Sequence, residues 1–176
     1  MSTVINKTTL EIRVSVNTPE YQDGNWLITP NPELLIQVIS GEVPKRHTKI
    51  EGDDYLLKTS SEIEQADAEY LAEVKTQKIA EIREQFNETF TSRYATITSI
   101  AATNIRTTAL ASMNDDATEY LDQIIIWGLQ GDDLIEVAES QVESSTTIEG
   151  VNAVTWNVDG WLENDPLVST RVARRM

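Results

Sequence analysis

At 176 residues, with 40% hydrophobic and 24% charged side chains, the chain has the composition of a folded protein. Its length fits one domain, or one small domain attached to a helical part. A net charge of −15 and a pI near 4.3 disfavour nucleic acid and anionic membranes as partners, since both call for a cationic surface. Cysteine is absent, which excludes disulfides, thiolate catalysis and thiolate metal sites.

The opening MSTVINKTTL lacks the apolar centre of a signal peptide, and no run approaches the ~18 apolar residues of a membrane span. No membrane insertion is expected. Leu10, Ile12, Val14 and Val16 alternate with polar residues, the period of a half-buried strand. Asp23-Gly24, between Tyr21 and Trp26, suggests a tight hairpin. Pro30 and Pro32 then stop regular pairing. The short apolar run Leu34 to Ile39 fits strand or helix by period, and its composition leans to strand. Gly52-Asp53 is a second turn, between HTKI and YLLK. Residues 1–58 thus read as a small β-rich module.

A long helix is expected over 59–113. Ile63, Tyr70, Leu71, Val74, Ile79, Ile82, Phe86, Phe90, Tyr94, Ile97, Ile100 and Ile105 recur at helical spacing, with neither Gly nor Pro between them. Ser61 and Glu64 fit a capping box at its start. At roughly 50 residues it would be about 75 Å long, too long for so small a chain to wrap, so packing against other copies or a larger partner is expected. Steps of five at Val74–Ile79 and Ile100–Ile105 break a strict heptad, which favours a bundle over a regular coiled coil. Phe86, Phe90, Tyr94 and Ile97 are the candidate helix–helix seam.

Residues 114–145 read as two shorter helices. Asn114 and Asp115 cap the first, Gly131 ends it, and Asp132-Asp133 start the second. Beyond Ser144 both helix and strand fit, and Gly160 and Pro166 act as breakers. Residues 146–176 are expected to form a docking arm anchored by Trp156, Trp161 and Leu162. Arg171, Arg174 and Arg175, the only cations after Arg106, would meet carboxylates. The arm is expected to reach a neighbouring subunit, the rival being an arm folded back on its own chain. The whole is an α+β fold.

Chemistry-bearing constellations are sparse. The pairs Asp53-Asp54, Asp115-Asp116 and Asp132-Asp133 read as turn and cap residues rather than ligands of a hard cation. His47 falls among Lys45, Arg46 and Lys49, as a surface-loop residue in a solvated basic strand edge. No phosphate loop or nucleophile elbow occurs in the sequence. No catalytic residue, cofactor or metal is therefore expected.

The order Tyr21, Trp26-Leu27-Ile28, Pro30-Asn31-Pro32, Val43-Pro44, then KIEGDDYLLKTSSE before a helix resembles a segment of tailed-bacteriophage virion proteins, over roughly residues 20–70. KRHTKI departs from that pattern in lacking an aromatic after Val-Pro. The resemblance implies a non-enzymatic structural protein of a tail fibre, baseplate or connector. Such a protein would be assembled in the host cytoplasm and carried in the virion beside other virion or assembly proteins. A homo-oligomer is the expected form. The alternative is a fibre-assembly chaperone or small helical adaptor that leaves the particle.

Overall fold

The computed structural model describes residues 2–16, 21, 24–28, 30–107 and 113–166; for 15, 16, 94, 96–107 and 113–121 it describes the backbone alone. The fold is α+β, with short antiparallel strands followed by long helices. The chain divides into two compact units, Met1–Tyr70 and Leu71–Met176.

In the first unit, strands β1 (Ser2–Asn6), β2 (Ile12–Val16) and β3 (Trp26–Ile28) form an antiparallel sheet in the order β2-β1-β3. Sequence reading misses β1, although it is the central strand, with Val4 and Ile5 buried on its two faces. Strand β2 begins later than expected. Asn6 Oδ1 accepts the amides of Thr8 and Thr9 at 2.9 Å, and Leu10 takes a positive φ of 53°, so the loop occupies the first apolar position. The expected Asp23-Gly24 hairpin falls on Asp23, which lies outside the described residues; β3 itself pairs with β1.

Leu34 to Ile39 is not a strand. It lies in α1 (Pro32–Ser40), whose ends are set by local chemistry. Asn31 accepts the Leu34 amide at 3.3 Å, Pro32 occupies the first turn, and Gly41 closes the helix with φ 84°. Asn31 also donates to the Tyr55 carbonyl at 3.1 Å, which fixes α1 against the hairpin β4 (Thr48–Glu51) and β5 (Asp54–Leu57). That hairpin turns at Gly52-Asp53 as expected, with only Gly52 at positive φ. Ile5, Leu27, Leu34, Leu35 and Tyr55 make the core of this unit.

Helix α2 runs unbroken over Ser60–Thr107. Its capping box is Thr59 and Glu62, two residues before the expected pair. Glu62 accepts the Thr59 amide at 2.7 Å, and the Glu62 amide donates to Thr59 Oγ1 at 3.4 Å.

In the second unit, α2 and α3 (Met113–Ser144) run antiparallel. Lys75 donates to the Glu143 carbonyl at 2.7 Å, and farther along Arg83 makes a paired bond to Glu139 at 2.5 and 2.9 Å. One helix replaces the two expected over 114–145. Gly131 and Asp132-Asp133 lie inside it, so they are neither a stop nor a start. Gly131 serves packing instead: a Cβ there would meet Phe86 at 2.6 Å and Trp161 at 2.9 Å. Two short helices follow, α4 (Ile148–Ala153) and α5 (Val158–Glu163). Thr147 and Asn157 cap them by accepting the amides of Gly150 and Gly160, each at 3.0 Å. Gly160 is thus part of a helix start, not a breaker.

Replacing an interior helical Gly by Ala ordinarily gains ~1 kcal/mol from propensity. For Gly131→Ala the sign is expected to reverse, with a loss of about 1–3 kcal/mol from overpacking. Gly128→Ala, whose Cβ would meet Phe90 at 3.2 Å, is expected to lose less. Denaturant midpoints of the two variants check the order.

Candidate interaction surface

The residues expected to mediate contacts divide into three groups. Phe86, Phe90, Trp156 and Trp161 are brought together in the second unit. Trp161 stacks on Trp127 with centroids 4.2 Å apart and planes 3° from parallel. The two indoles exchange hydrogen bonds: Trp127 Nε1 donates to the Trp161 carbonyl at 3.0 Å, and Trp161 Nε1 donates to the Trp127 carbonyl at 2.8 Å. Phe86 lies 5.2 Å from Trp161 and 5.9 Å from Trp156, while Phe90 lies 5.8 Å from Trp127. Trp156 Nε1 donates to Gln85 at 3.3 Å. Leu162 packs at the edge of this cluster.

The arm is therefore folded back on its own chain as far as Pro166, and its tryptophans are not anchors for a neighbour. The physical reason is that Gly131 opens a slot for Trp161 and each indole N–H finds a carbonyl inside the same unit. For Tyr94 and Ile97 only the α2 backbone is described, and Arg171, Arg174 and Arg175 lie outside the described residues.

Among the described residues of the second unit, the far side of α3 is left exposed. Ile124, Trp127, Gly131, Ile135, Ala138 and Val142 are buried along one face at steps of three and four. Opposite them, Ile125, Ile126 and Leu129 are 60%, 55% and 59% exposed, with Val137 at 57% two turns on. Asp122, Asp132, Asp133 and Glu136, all exposed, rim this apolar patch. Three large apolar side chains on adjoining turns form an exposed face, and the charged side chains described beside it on α3 are all acidic. Periodicity could have found it: the run IIIW places two isoleucines outside whichever face the tryptophan selects.

The basic cluster of the first unit is partnered. Lys49 bridges Glu51 and Glu62 at 2.8 Å each, and Asp67 receives Arg46 at 2.6 Å and His47 Nε2 at 2.8 Å. Arg46 also lies 4.6 Å from the centre of the Tyr70 ring. His47 is thus not a free loop residue; with Arg46 it binds the start of α2. Asp132-Asp133 and Asp53-Asp54 hold no clustered ligand set, and among the described residues no group of three or more His, Asp or Glu is placed to hold a metal. Also among the described residues, no helix is long and apolar enough to cross a membrane.

No family model, curated protein or solved structure matches the chain. The surface must be read from its own chemistry.

These ion pairs set an acid limit on the first unit. Lys49, with the amide and hydroxyl of Thr59, holds the Glu62 carboxyl down to about 2 from its ordinary 4.5. His47 and then Arg46 hold Asp67 below the usual carboxylate range. Both folded values are depressed, so the stabilisation is fully present above the unfolded carboxylate values. It is lost as pH falls, for Glu62 between 4.5 and about 2. Hence Glu62→Gln is expected to flatten the decline of the unfolding midpoint over that interval, followed by circular dichroism at stepped pH.

Proposed function

We propose that the chain is a non-enzymatic structural and interaction protein of a tailed-phage-like particle, in a fibre, baseplate or connector role. Its outer α3 face supplies the contact to a neighbouring component. The observation that carries this reading is the exposed patch Ile125, Ile126 and Leu129 on a helix whose other side is already fully used by the core. Apolar groups on adjoining turns lower the free energy of association, each large side chain contributing ~1.5–3 kcal/mol when fully covered. The acidic rim narrows the partner to one that brings apolar side chains bordered by Lys or Arg, and it disfavours two α3 faces pairing with each other. Copies of the chain would then meet through other surfaces.

The variant Ile126→Asp/Leu129→Asp tests the reading. Both positions are exposed, so thermal stability and helix content are expected to stay near wild type. Incorporation into particles separated on a density gradient is expected to fall at least tenfold. Incorporation at the wild-type level would overturn the assignment. Presence in assembly precursors with loss from finished particles would make the protein an assembly chaperone instead.

A further inference from the structure

The second unit has another surface, in which none of the α3 patch residues takes part. It is a groove between α2 and residues 154–157, the connector from α4 to α5. We propose that this groove holds an extended, Lys- or Arg-bearing segment of a partner protein, which pairs with the connector backbone as an added strand.

The connector is built like a strand that has no neighbour. Val154 leaves α4 in an extended conformation, with φ −69° and ψ 126°. Burial then alternates: Val154 and Trp156 enter the core, while Thr155 and Asn157 are exposed. That is the period of a strand lying on a packed surface. The Val158 amide donates to the Trp156 carbonyl at 2.9 Å, which ends the extended stretch before α5. Among the described residues, the amide and carbonyl of Thr155 and the amide of Asn157 take no hydrogen bond. In an extended chain the N–H and C=O of one residue point to the same edge, so Thr155 can exchange two bonds with one residue of an added strand. A partner helix has no free backbone groups to offer there, because its own bonds are internal.

The facing wall has the length that such a strand needs. Lys78, Glu81, Ile82 and Gln85 of α2 follow at steps of three and four, so they share one helix face along the groove. Together with the connector they line a volume of about 640 Å³, within the range of ligand clefts. From Lys78 to Gln85 the wall runs roughly 10 Å at ~1.5 Å per residue. Three residues of extended chain, at ~3.3 Å each, cover the same length.

The walls also set the sign of the occupant. Lys78 is committed to Glu81 at 3.2 Å. Gln85 donates to Glu81 at 3.3 Å and accepts the Trp156 indole N–H at 3.3 Å. Asp159, at the α5 end, is exposed, and among the described residues no cation pairs with it. The groove thus carries one carboxylate beyond what its own lysine balances, and it favours a segment bearing Lys or Arg.

Titration of the isotope-labelled full chain with the blocked pentapeptide Thr-Val-Lys-Val-Thr, followed by amide chemical shifts, tests the proposal. Shifts are expected to centre on Thr155, Asn157 and Asp159. An analogue N-methylated at its three central residues keeps the charge but has no strand-pairing amide. It is expected to bind at least fivefold more weakly, about the effect of one lost neutral hydrogen bond. Asp159→Asn is expected to weaken the unmodified peptide about threefold. The two peptides are compared on the unaltered chain, so that result does not depend on how the variant folds. Equal affinity for the N-methylated analogue would overturn the proposal, since charge alone would then hold the peptide. Absence of shifts at Thr155 would also overturn it. So would shifts centred on Ile125, Ile126 and Leu129, which would return the contact to the α3 face and leave the functional reading intact. Shifts at Thr155 on concentrating the protein alone would give the groove to a second copy and overturn the proposal too.

Discussion

The second unit depends on the stacked pair Trp127 and Trp161. Each ring is about 1% exposed, and each indole N–H is bonded to the other residue's carbonyl. A buried indole donor without an acceptor would cost about 1–3 kcal/mol, so the reciprocal bonds matter as much as the apolar area. Their geometry demands that α5 come close to α3, and a side chain at 131 would forbid it. Glycine at that point makes the approach possible, and Phe86 from α2 fills the remaining side of the slot. The stack therefore joins α2, α3 and α5 in one constraint.

That constraint relocates the surface available to other molecules. Once Trp156 and Trp161 are enclosed, the arm has no large anchor left before Pro166, and Val151 and Val154 are buried with it. Among the described residues of the second unit, the α3 face turned away from the stack stays uncovered. Its acids follow the same logic, since the inner stripe takes the apolar and small residues and leaves Asp132, Asp133 and Glu136 to solvent. Here they stand beside Ile125, Ile126 and Leu129 and give the patch a sign.

The first unit is held by different means. Its core is small, centred on Ile5, Leu27, Leu34, Leu35 and Tyr55. Around it, Asn31 joins α1 to β5, and the Tyr55 hydroxyl donates to Thr48, whose own hydroxyl donates to the Lys45 carbonyl at 2.7 Å. Lys49, Arg46 and His47 then bind the carboxylates of the first turns of α2. Exposed pairs of this kind add little stability singly. Their effect is to orient the start of the helix, since Glu62 serves both the helix cap and Lys49.

Local signals in the sequence determined the elements whose reasons are local. The absence of Gly and Pro from Ser60 to Thr107 made a long helix legible, as did the Gly52-Asp53 turn for its hairpin and the period-two run for β2. The same local view misread Leu34 to Ile39, because the Asn31 cap and Gly41 stop outweigh a strand-like composition in so short a run. Gly131 shows the limit most clearly. Glycine is a common helix stop, and sequence alone carries no sign that two aromatic rings will arrive from residues 45 positions before and 30 after. Likewise Trp156 and Trp161 announced that something would be buried, but not what would bury them. Burial partners are set by contacts distant in sequence, and only the tertiary structure decided that the arm, as far as Pro166, closes on its own chain and leaves the outer face of α3 exposed.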